Sequence, residues 1–380
     1  MRTRGNAGFQ VAPWRNPQTF TSTIAAPVTF TNPTPGQGGG TVTTFGIEQD
    51  FKNARVLQWS VGLQHELAHN LVLDVTYFAN KGTHLPVGFN VNQAALDNGR
   101  NLSLTARRPY TSFGNINFNK SAANSIYHSL QTKLEKRYSN GLSFLASYTY
   151  GRSIDYVAGI ATGSGVVAGG VQNKNNLAAE RGRSDFDLTH RVVFSPVYEL
   201  PFGAGRKFAS SGPVSKIVGG FQFSGLLAAQ SGSPFTAVIS GDNSGTGANA
   251  DRPDSIGNPY AGAAGTPTGG FINTCTTLAN GTQANCLPGQ SPAWRLVSGA
   301  FGNEGRNVLT GPKQVTLDVS LVRSFKIRER LSAQFRGEFF NSLNHTNFQL
   351  PNNTIATANF GKLVGANSPR QIQLAVRLTF

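Results

Sequence analysis

Side chains that could carry out chemistry occur in this sequence, but their spacing does not indicate an active site. The six histidines are scattered along the chain, at His65, His69, His84, His128, His190 and His345. No GxSxG motif occurs, and a Ser/His/Asp triad would have to be assembled from distant positions in a serine-rich chain. Glycine clusters such as Gly163 to Gly165 do not lie between a strand and a helix, so no phosphate-binding loop is expected. We predict that the protein is not an enzyme and needs no cofactor.

Two cysteines and a group of loop oxygens are the remaining candidates for chemistry. Cys275 and Cys286 share one loop rich in Gly, Thr, Asn and Pro, without a CxxC motif or a nearby histidine. A disulfide in an oxidising compartment is therefore favoured over free thiols, and a metal site is not expected. The same loop carries Asp242, Asn243, Asp251 and Asp254. Their spacing is not that of an EF-hand, and a solvated, turn-rich loop is favoured over a calcium site.

The strands from which these loops must extend have their clearest pattern at residues 370–380, R-Q-I-Q-L-A-V-R-L-T-F. Apolar side chains alternate there with mostly polar ones, from Ile372 to Phe380. A period of two predicts a strand with one apolar face. The pattern recurs, and we predict nine strands of about 9 to 13 residues. They are 56–67, 71–79, 126–138, 142–153, 188–200, 220–230, 313–325, 331–340 and 370–380.

The connections between these strands alternate in length. Short turns are predicted near residues 68, 139, 201 and 326, and long loops begin near 80, 154, 231 and 341. A soluble β-sandwich has mixed loop lengths at both ends, whereas an outer-membrane barrel has short periplasmic turns and long extracellular loops. We therefore predict an all-β, antiparallel transmembrane barrel segment at 51–380. Residues 1–50 are predicted to be a loop or tail, an extracellular loop of the parent barrel.

Charge and polarity agree with this prediction. The 380 residues include 33 Lys+Arg against 18 Asp+Glu, a net charge of +15, but the basic residues are spread singly. Nucleic-acid binding is therefore not expected, and a basic rim beside anionic lipid headgroups explains the charge. Charged side chains on the polar parity should face the barrel lumen, because a charge in hydrocarbon is costly. These lumen-facing candidates are Asp74, Lys133, Glu135, Asp318, Arg336 and Glu338.

Several stretches also resemble one known family. They are S-V-G-L-Q-H-E-L (60–67), Y-H-S-L-Q-T-K-L-E-K-R-Y-S-N-G-L (127–142), R-S-D-F-D-L-T-H-R (183–191), Y-E-L-P-F-G (198–203) and residues 318–348. In order and spacing they resemble the C-terminal barrel of TonB-dependent outer-membrane receptors, in particular the Oar-like branch. The resemblance implies a barrel of about 22 strands around a plug. It also implies that Phe380, at the end of the last strand, is part of the signal read by the barrel-assembly machinery.

The resemblance predicts a function that needs more than these residues. No plug, TonB-contacting segment or signal peptide is visible, so we expect the chain to be the C-terminal part of a longer protein or a truncated gene product. Plug and TonB would be partners only through that missing part, and outer-membrane lipid would be a direct partner. The predicted function is energised uptake of a bulky nutrient, a carbohydrate or a peptide, across the bacterial outer membrane. The alternatives are an adhesion or surface-structural barrel and a porin-like passive channel.

Overall fold

The computed structural model describes residues 42–156, 171–248, 251–267, 269–328 and 331–380. Its main feature is an antiparallel meander in which nine strands pair in chain order. The strands are β1 Arg55–Ala68, β2 Leu71–Asn90, β3 Phe113–Ser139, β4 Leu142–Asp155, β5 His190–Glu199, β6 Phe221–Gln230, β7 Gln314–Arg328, β8 Leu331–Phe340 and β9 Gln371–Thr379. The predicted all-β class and single antiparallel sheet are confirmed. Within the described residues β1 and β9 do not pair with each other, so the sheet is open.

The pairing register divides the side chains of the sheet into two faces. On β7, Val319 is opposite Gly225 and Phe339, whereas Ser320 is opposite Ser224 and Glu338. Followed across all nine strands, one parity is mostly leucine, valine and aromatic residues, and the other is mostly polar. We call these the apolar face and the polar face. Every aspartate and glutamate of the nine strands lies on the polar face, namely Glu66, Asp74, Glu135, Asp155, Glu199, Asp318 and Glu338.

Within the described residues, the apolar face is not covered by a second layer of protein. On β9, Leu374 and Val376 expose 66% and 68% of their surface, and on β1 Leu63 exposes 74%. Side chains of this kind, arranged in a continuous sheet face, are stable where acyl chains replace water. A sandwich would have buried them between two sheets, so the register and the exposure together favour a lipid-facing surface.

Two strands are longer than predicted. The segment 80–125 was predicted to be a long loop, but β2 continues to Asn90 and β3 already begins at Phe113. Beyond the apolar band, toward the long loops, apolar and polar side chains no longer alternate along β2 and β3. The sequence pattern that predicts a strand therefore ends there, although the backbone pairing continues. A small cluster of Val87, Ala123 and Val171 supports the extension.

Part of the predicted tail also belongs to the sheet. The strand Val42–Ile47 pairs in parallel with the first part of β3. The predicted loop or tail at 1–50 therefore ends earlier than expected, and residues 1–41 lie outside the described residues.

The connection between β5 and β6 differs from the short turn predicted at 201. It spans residues 200–220 and contains helix α1, Gly212–Val218, with a proline in its first turn. Gly203 and Gly219 pack so closely that a Cβ on Gly203 would lie 2.5 Å from the Gly219 Cα. The turn between β3 and β4 agrees with the Asn-Gly signal, because Asn140 and Gly141 have φ angles of 51° and 80°. Two consecutive positive φ angles are the mark of a type I′ hairpin turn.

The long connections form an ordered layer at one end of the sheet. It contains the 3₁₀ turns Thr105–Arg107 and Leu177–Glu180 and the two-residue strands Gly182–Arg183, Pro234–Phe235, Asp254–Ser255, Thr276–Thr277, Gln283–Ala284, Trp294–Arg295 and Leu309–Thr310. Its core is built around Trp294, whose ring meets Phe360 edge-on at a centroid distance of 5.8 Å. Trp294 Nε1 also donates a hydrogen bond to the Asn273 carbonyl at 2.8 Å. In the described residues, no helix has the length and hydrophobicity required to cross a membrane.

The two faces lead to a prediction for neighbouring positions on β7. Val319→Arg places a cation on the apolar face, where it should cost about 2–4 kcal/mol near the bilayer midplane. Ser320→Arg, one residue away on the polar face, should change stability by less than about 0.5 kcal/mol. Urea unfolding of the refolded protein in lipid vesicles, followed by gel mobility without boiling, measures both. Equal destabilisation by the two substitutions would contradict the assignment of the faces.

Candidate functional site

The six charged residues predicted to face the lumen all lie on the polar face, in two groups. On β2 and β3, Asp74 is opposite Lys133, and the Lys133 amine contacts the Glu135 carboxylate at 2.8 Å. On β7 and β8, Asp318 accepts a hydrogen bond from the Asn341 amide at 2.8 Å. Arg336 and Glu338 lie on the adjoining strand, 3.7 Å apart at their charged atoms. That this face lines a lumen stays a prediction, and it agrees with the position of every carboxylate of the nine strands on this face.

Clefts open where the long-loop layer meets the polar face. One, of about 460 Å³, is lined by Tyr127, Gln131 and Thr149 from the strands and by Asp187 from a loop. Another, of about 330 Å³, lies between Gln314 of β7 and Phe348 of the last loop. The loops therefore bend over the polar side of the sheet, as loops that guard a lumen must.

Buried ion pairs fasten the loops to each other. Arg252 and Glu180 are 3% and 1% exposed and form a bidentate ion pair, with N–O distances of 2.6 and 3.2 Å. A pair so far from water contributes little net stability, but removal of one partner leaves an uncompensated buried charge. The pair joins residues far apart in the chain, and sequence reasoning missed it because no local pattern marks it.

A second set of contacts fastens the loop layer to the top of β4. The Arg306 guanidinium contacts Asp155 and donates through Nε to the Glu180 carbonyl at 2.8 Å. The R-S-D-F-D-L-T-H-R stretch supplies Asp187, which accepts from the Ser153 amide at 2.6 Å and from Arg183 Nε at 2.8 Å. This stretch therefore has a structural role: its carboxylates hold the loop against the strand.

A cavity of about 580 Å³ lies between three long connections. Its lining includes Arg107, Arg108, Lys174 and Phe301 together with several asparagines. Burial lowers the pKa of Lys174 and of Arg108, and the carboxylate of Asp242 partly offsets the effect on Arg108.

The hydrogen bonds of these cations leave one donor atom unused. The Lys174 amine donates to the Val91 carbonyl at 2.7 Å, and Arg107 lies 3.5 Å from a carboxylate oxygen of Asp97. Arg108 donates through Nη2 to Asn115 Oδ1 at 3.0 Å, but its buried Nη1 has no hydrogen-bond partner in the described structure. The wall of the cavity thus includes a guanidinium group with one buried nitrogen atom that has no hydrogen-bond partner among the described residues.

The loop residues singled out for their chemistry are held by local contacts. Cys275 and Cys286 form a disulfide. Asp242 accepts hydrogen bonds from the Thr246 and Gly247 amides at 2.8 and 2.7 Å. Asp251 accepts from Ser244, and Asp254 pairs with Arg295, while Asn243 donates to the Ser240 carbonyl. Each of the four candidate ligands of the calcium interpretation therefore has a hydrogen-bond or ion-pair partner within the protein.

Sequence reasoning overlooked one metal-like pattern. Residues 65–69 read H-E-L-A-H, the HExxH spacing that binds zinc when both histidines share one helix face. Here His65 lies near the end of strand β1 and His69 in the turn that follows. A strand rises about 3.3 Å per residue, more than twice the rise of a helix, so the two rings are not brought together. Among the described residues, no group of three potential ligands could hold a metal ion.

Comparison with known proteins adds the family. A family model described as an outer membrane beta barrel domain matches residues 2–373. The chain belongs to this family. This match confirms the predicted barrel resemblance and the predicted location in the bacterial outer membrane. That the protein is not an enzyme stays a prediction, and so does the role of Phe380, which follows β9 and is 91% exposed.

Solved structures of outer-membrane proteins are similar to this chain at low sequence identity. The outer membrane transporter YddB from Escherichia coli has a TM-score of 0.47 and 11% identity, over 89% of this chain and 34% of that one. BauA, the ferric preacinetobactin receptor from Acinetobacter baumannii, has 0.40 and 12%, over 85% and 29%. The FrpB iron transporter from Neisseria meningitidis has 0.40 and 10%, over 88% and 32%. The chain thus spans about a third of the length of these structures. No curated protein matches it.

The buried pair predicts an asymmetric response to substitution. Glu180→Gln leaves the Arg252 charge buried without its counter-ion and should destabilise the loop layer by about 3–5 kcal/mol. The double variant Glu180→Leu/Arg252→Leu should recover most of that loss, because both charges are gone. Limited proteolysis of the loops measures the effect, with Arg181→Leu at an exposed neighbouring position as the control. A double variant as sensitive as Glu180→Gln would contradict this account.

A second prediction concerns Glu304, whose pKa is raised by burial to about 7, while Ser255 and Arg252 act in the opposite direction. Between about pH 4.5 and 7 the folded loop binds a proton that the unfolded loop releases, so loop stability should fall as pH rises through this window, by on the order of 3 kcal/mol. Glu304→Gln should remove this dependence. Hydrogen exchange of residues 251–256, corrected for the intrinsic effect of pH, measures it. A wild-type loop equally stable at pH 5 and pH 8 would contradict the assignment.

Proposed function

We propose that this chain is the C-terminal barrel portion of a TonB-dependent outer-membrane receptor that takes part in energised uptake of a bulky nutrient. The observation that carries the proposal is the cavity between the long loops, at the end of a sheet whose polar face bears all of its carboxylates. A ligand caught in that cavity lies beside the polar face, which can guide it inward. The sequence stretches that resemble TonB-dependent receptors support the same function.

The open sheet supports a larger barrel. Hydrocarbon leaves no backbone N–H or C=O without a partner, so β1 and β9 each need a further strand on their free side. In this proposal those strands, the plug and the segment that contacts TonB belong to the rest of the protein. The two groups of charges on the polar face then line the path between plug and barrel wall.

The composition of the cavity indicates what kind of ligand group it recognises. The Arg108 guanidinium and the asparagines of the lining, Asn98, Asn173 and Asn175, suit a ligand rich in oxygen acceptors, and Phe301 supplies an apolar contact. Oligosaccharides and peptides both combine these features. The lining thus supports a polar nutrient as the ligand, and uptake experiments decide whether that nutrient is a carbohydrate or a peptide.

Uptake assays distinguish the proposal from its alternatives. Cells that produce the natural full-length protein, and cells that lack it, are given labelled oligosaccharides or labelled peptides from a protein digest. We expect protein-dependent uptake of one class of compound, and this uptake should stop when a protonophore dissipates the proton-motive force. Uptake that survives the protonophore would indicate a passive channel, and binding without uptake would indicate an adhesion barrel.

Substitution of Arg108 tests the cavity itself. Arg108→Gln removes a charged hydrogen-bond donor, which is worth about 1.5–3 kcal/mol, so ligand affinity should fall at least tenfold. Arg100→Gln, at an exposed position on the same loop, is the matched control and should leave affinity unchanged. Affinity is measured from the concentration dependence of binding to whole cells. Equal affinities for wild type and Arg108→Gln would place the ligand elsewhere.

A further inference from the structure

Charges on the apolar face have only one sign and are confined to its two rims. Where the pairing is regular, the register places five charged residues on this face, and all are basic: Arg55, Lys81, Lys136, Arg152 and Arg323. The strands between the rims carry no charge on this side. The surface of a soluble protein carries charges of both signs. Within the described strands, by contrast, the charged residues of this face include no carboxylate, which indicates an anionic environment.

The two rims are not equivalent. At the rim with the short turns, Arg323 and Lys136 are half-buried, and the Arg323 guanidinium lies 5.1 Å from the Phe221 ring centre and donates to the Lys216 carbonyl. At the rim with the long loops, Arg55, Lys81 and Arg152 come from three of four adjacent strands, and all three are exposed. This second rim therefore presents the more exposed positive charge.

Aromatic and histidine side chains lie in the same region and repeat one arrangement. The Tyr77 hydroxyl is 2.7 Å from His128 Nδ1, and the rings stack at an interplanar angle of 23°. The Tyr148 hydroxyl is 2.8 Å from His190 Nδ1, with an angle of 18°. Amphipathic rings of this kind concentrate at the level of lipid headgroups. The pairs thus mark the headgroup level on β2 to β5, next to Lys81 and Arg152.

The one carboxylate near these cations does not neutralise them. Asp187 lies 4.0 Å from Arg152 Nη1, but it already accepts hydrogen bonds from Ser153 and Arg183. The Arg152 side chain remains 54% exposed. Lys81 has no ion pair within the described structure, and it is opposite Leu57 and Ile126, both apolar. The cations can therefore contact an external anion while their strands present apolar side chains immediately below.

We propose that Arg55, Lys81 and Arg152, framed by the two Tyr–His pairs, form a binding site for a lipid with a phosphorylated headgroup in the outer leaflet. The phosphates contact the cations, and the acyl chains pack on the apolar face between the rims. A free anion would use only the charges, whereas this surface joins charge to an apolar face on the same strands. The proposal rests on family membership and the register, and it does not depend on the uptake function.

Lipid binding by the full-length protein tests the proposal. The protein is placed in nanodiscs of zwitterionic phosphatidylcholine that contain a fluorescent glycolipid, either with two headgroup phosphates or enzymatically dephosphorylated. Energy transfer from the tryptophans, which include Trp59 at this rim, reports the lipid beside the protein. We expect enrichment of the phosphorylated form beside the wild-type protein. The double variant Lys81→Gln/Arg152→Gln should reduce that enrichment by about tenfold or more, because each surface cation raises the affinity for an anionic lipid by on the order of a factor of five.

Controls separate this result from other causes. Lys136→Gln, at the opposite rim of the same face, should retain the enrichment, and unboiled gel mobility shows which variants are folded. If the double variant does not fold, Arg152→Gln alone should still reduce the enrichment severalfold. Equal enrichment of both lipid forms, or no effect of either variant, would overturn the proposal. Complete displacement of the lipid by millimolar inorganic phosphate would also overturn it, because it would show a site for free anions.

Discussion

A hydrocarbon environment imposes two demands on a polypeptide, and both are visible in this sheet. Backbone N–H and C=O groups must be paired within the protein, and charged side chains must point away from the acyl chains. The nine-strand meander meets the first demand at each internal strand, and the alternation of charged and apolar side chains within the apolar band meets the second. Every strand carboxylate lies on one face, and the opposite face carries cations only at its rims. The outer-membrane family assignment gives these two faces their environments.

The loop layer follows different rules because water surrounds it. There the chain uses buried ion pairs and a compact aromatic core to hold long connections in place. Arg252 with Glu180, and Arg306 with Asp155, fix the loops to each other and to the end of β4. Such largely buried pairs supply geometric definition more than net stability, so they keep the shape of the loops around the cavity. The cavity beside Arg108 is formed by loops held in this way.

Sequence reasoning predicted the sheet well and the loops poorly, for a physical reason. A lipid-facing strand must alternate, so each of the nine strands left a period of two that could be read directly, and Asn140-Gly141 marked its turn. Beyond the apolar band this requirement ends, and the extensions of β2 and β3 and the helix at Gly212–Val218 were missed. The Arg252–Glu180 pair and the lining of the cavity depend on residues distant in sequence. Only the R-S-D-F-D-L-T-H-R stretch gave a local sign of these contacts.

The account as a whole depends on which solvent each face of the sheet meets. Spin labels attached one at a time along β9, from residue 371 to residue 379, measure this directly through collisions with oxygen, which dissolves in lipid, and with a nickel chelate, which stays in water. The account predicts a period of two in the full-length protein in bilayers, with oxygen contact highest at Ile372, Leu374, Val376 and Leu378 and nickel contact highest between them. Accessibility without alternation, or with the opposite phase, would contradict the membrane barrel and the proposals that depend on it.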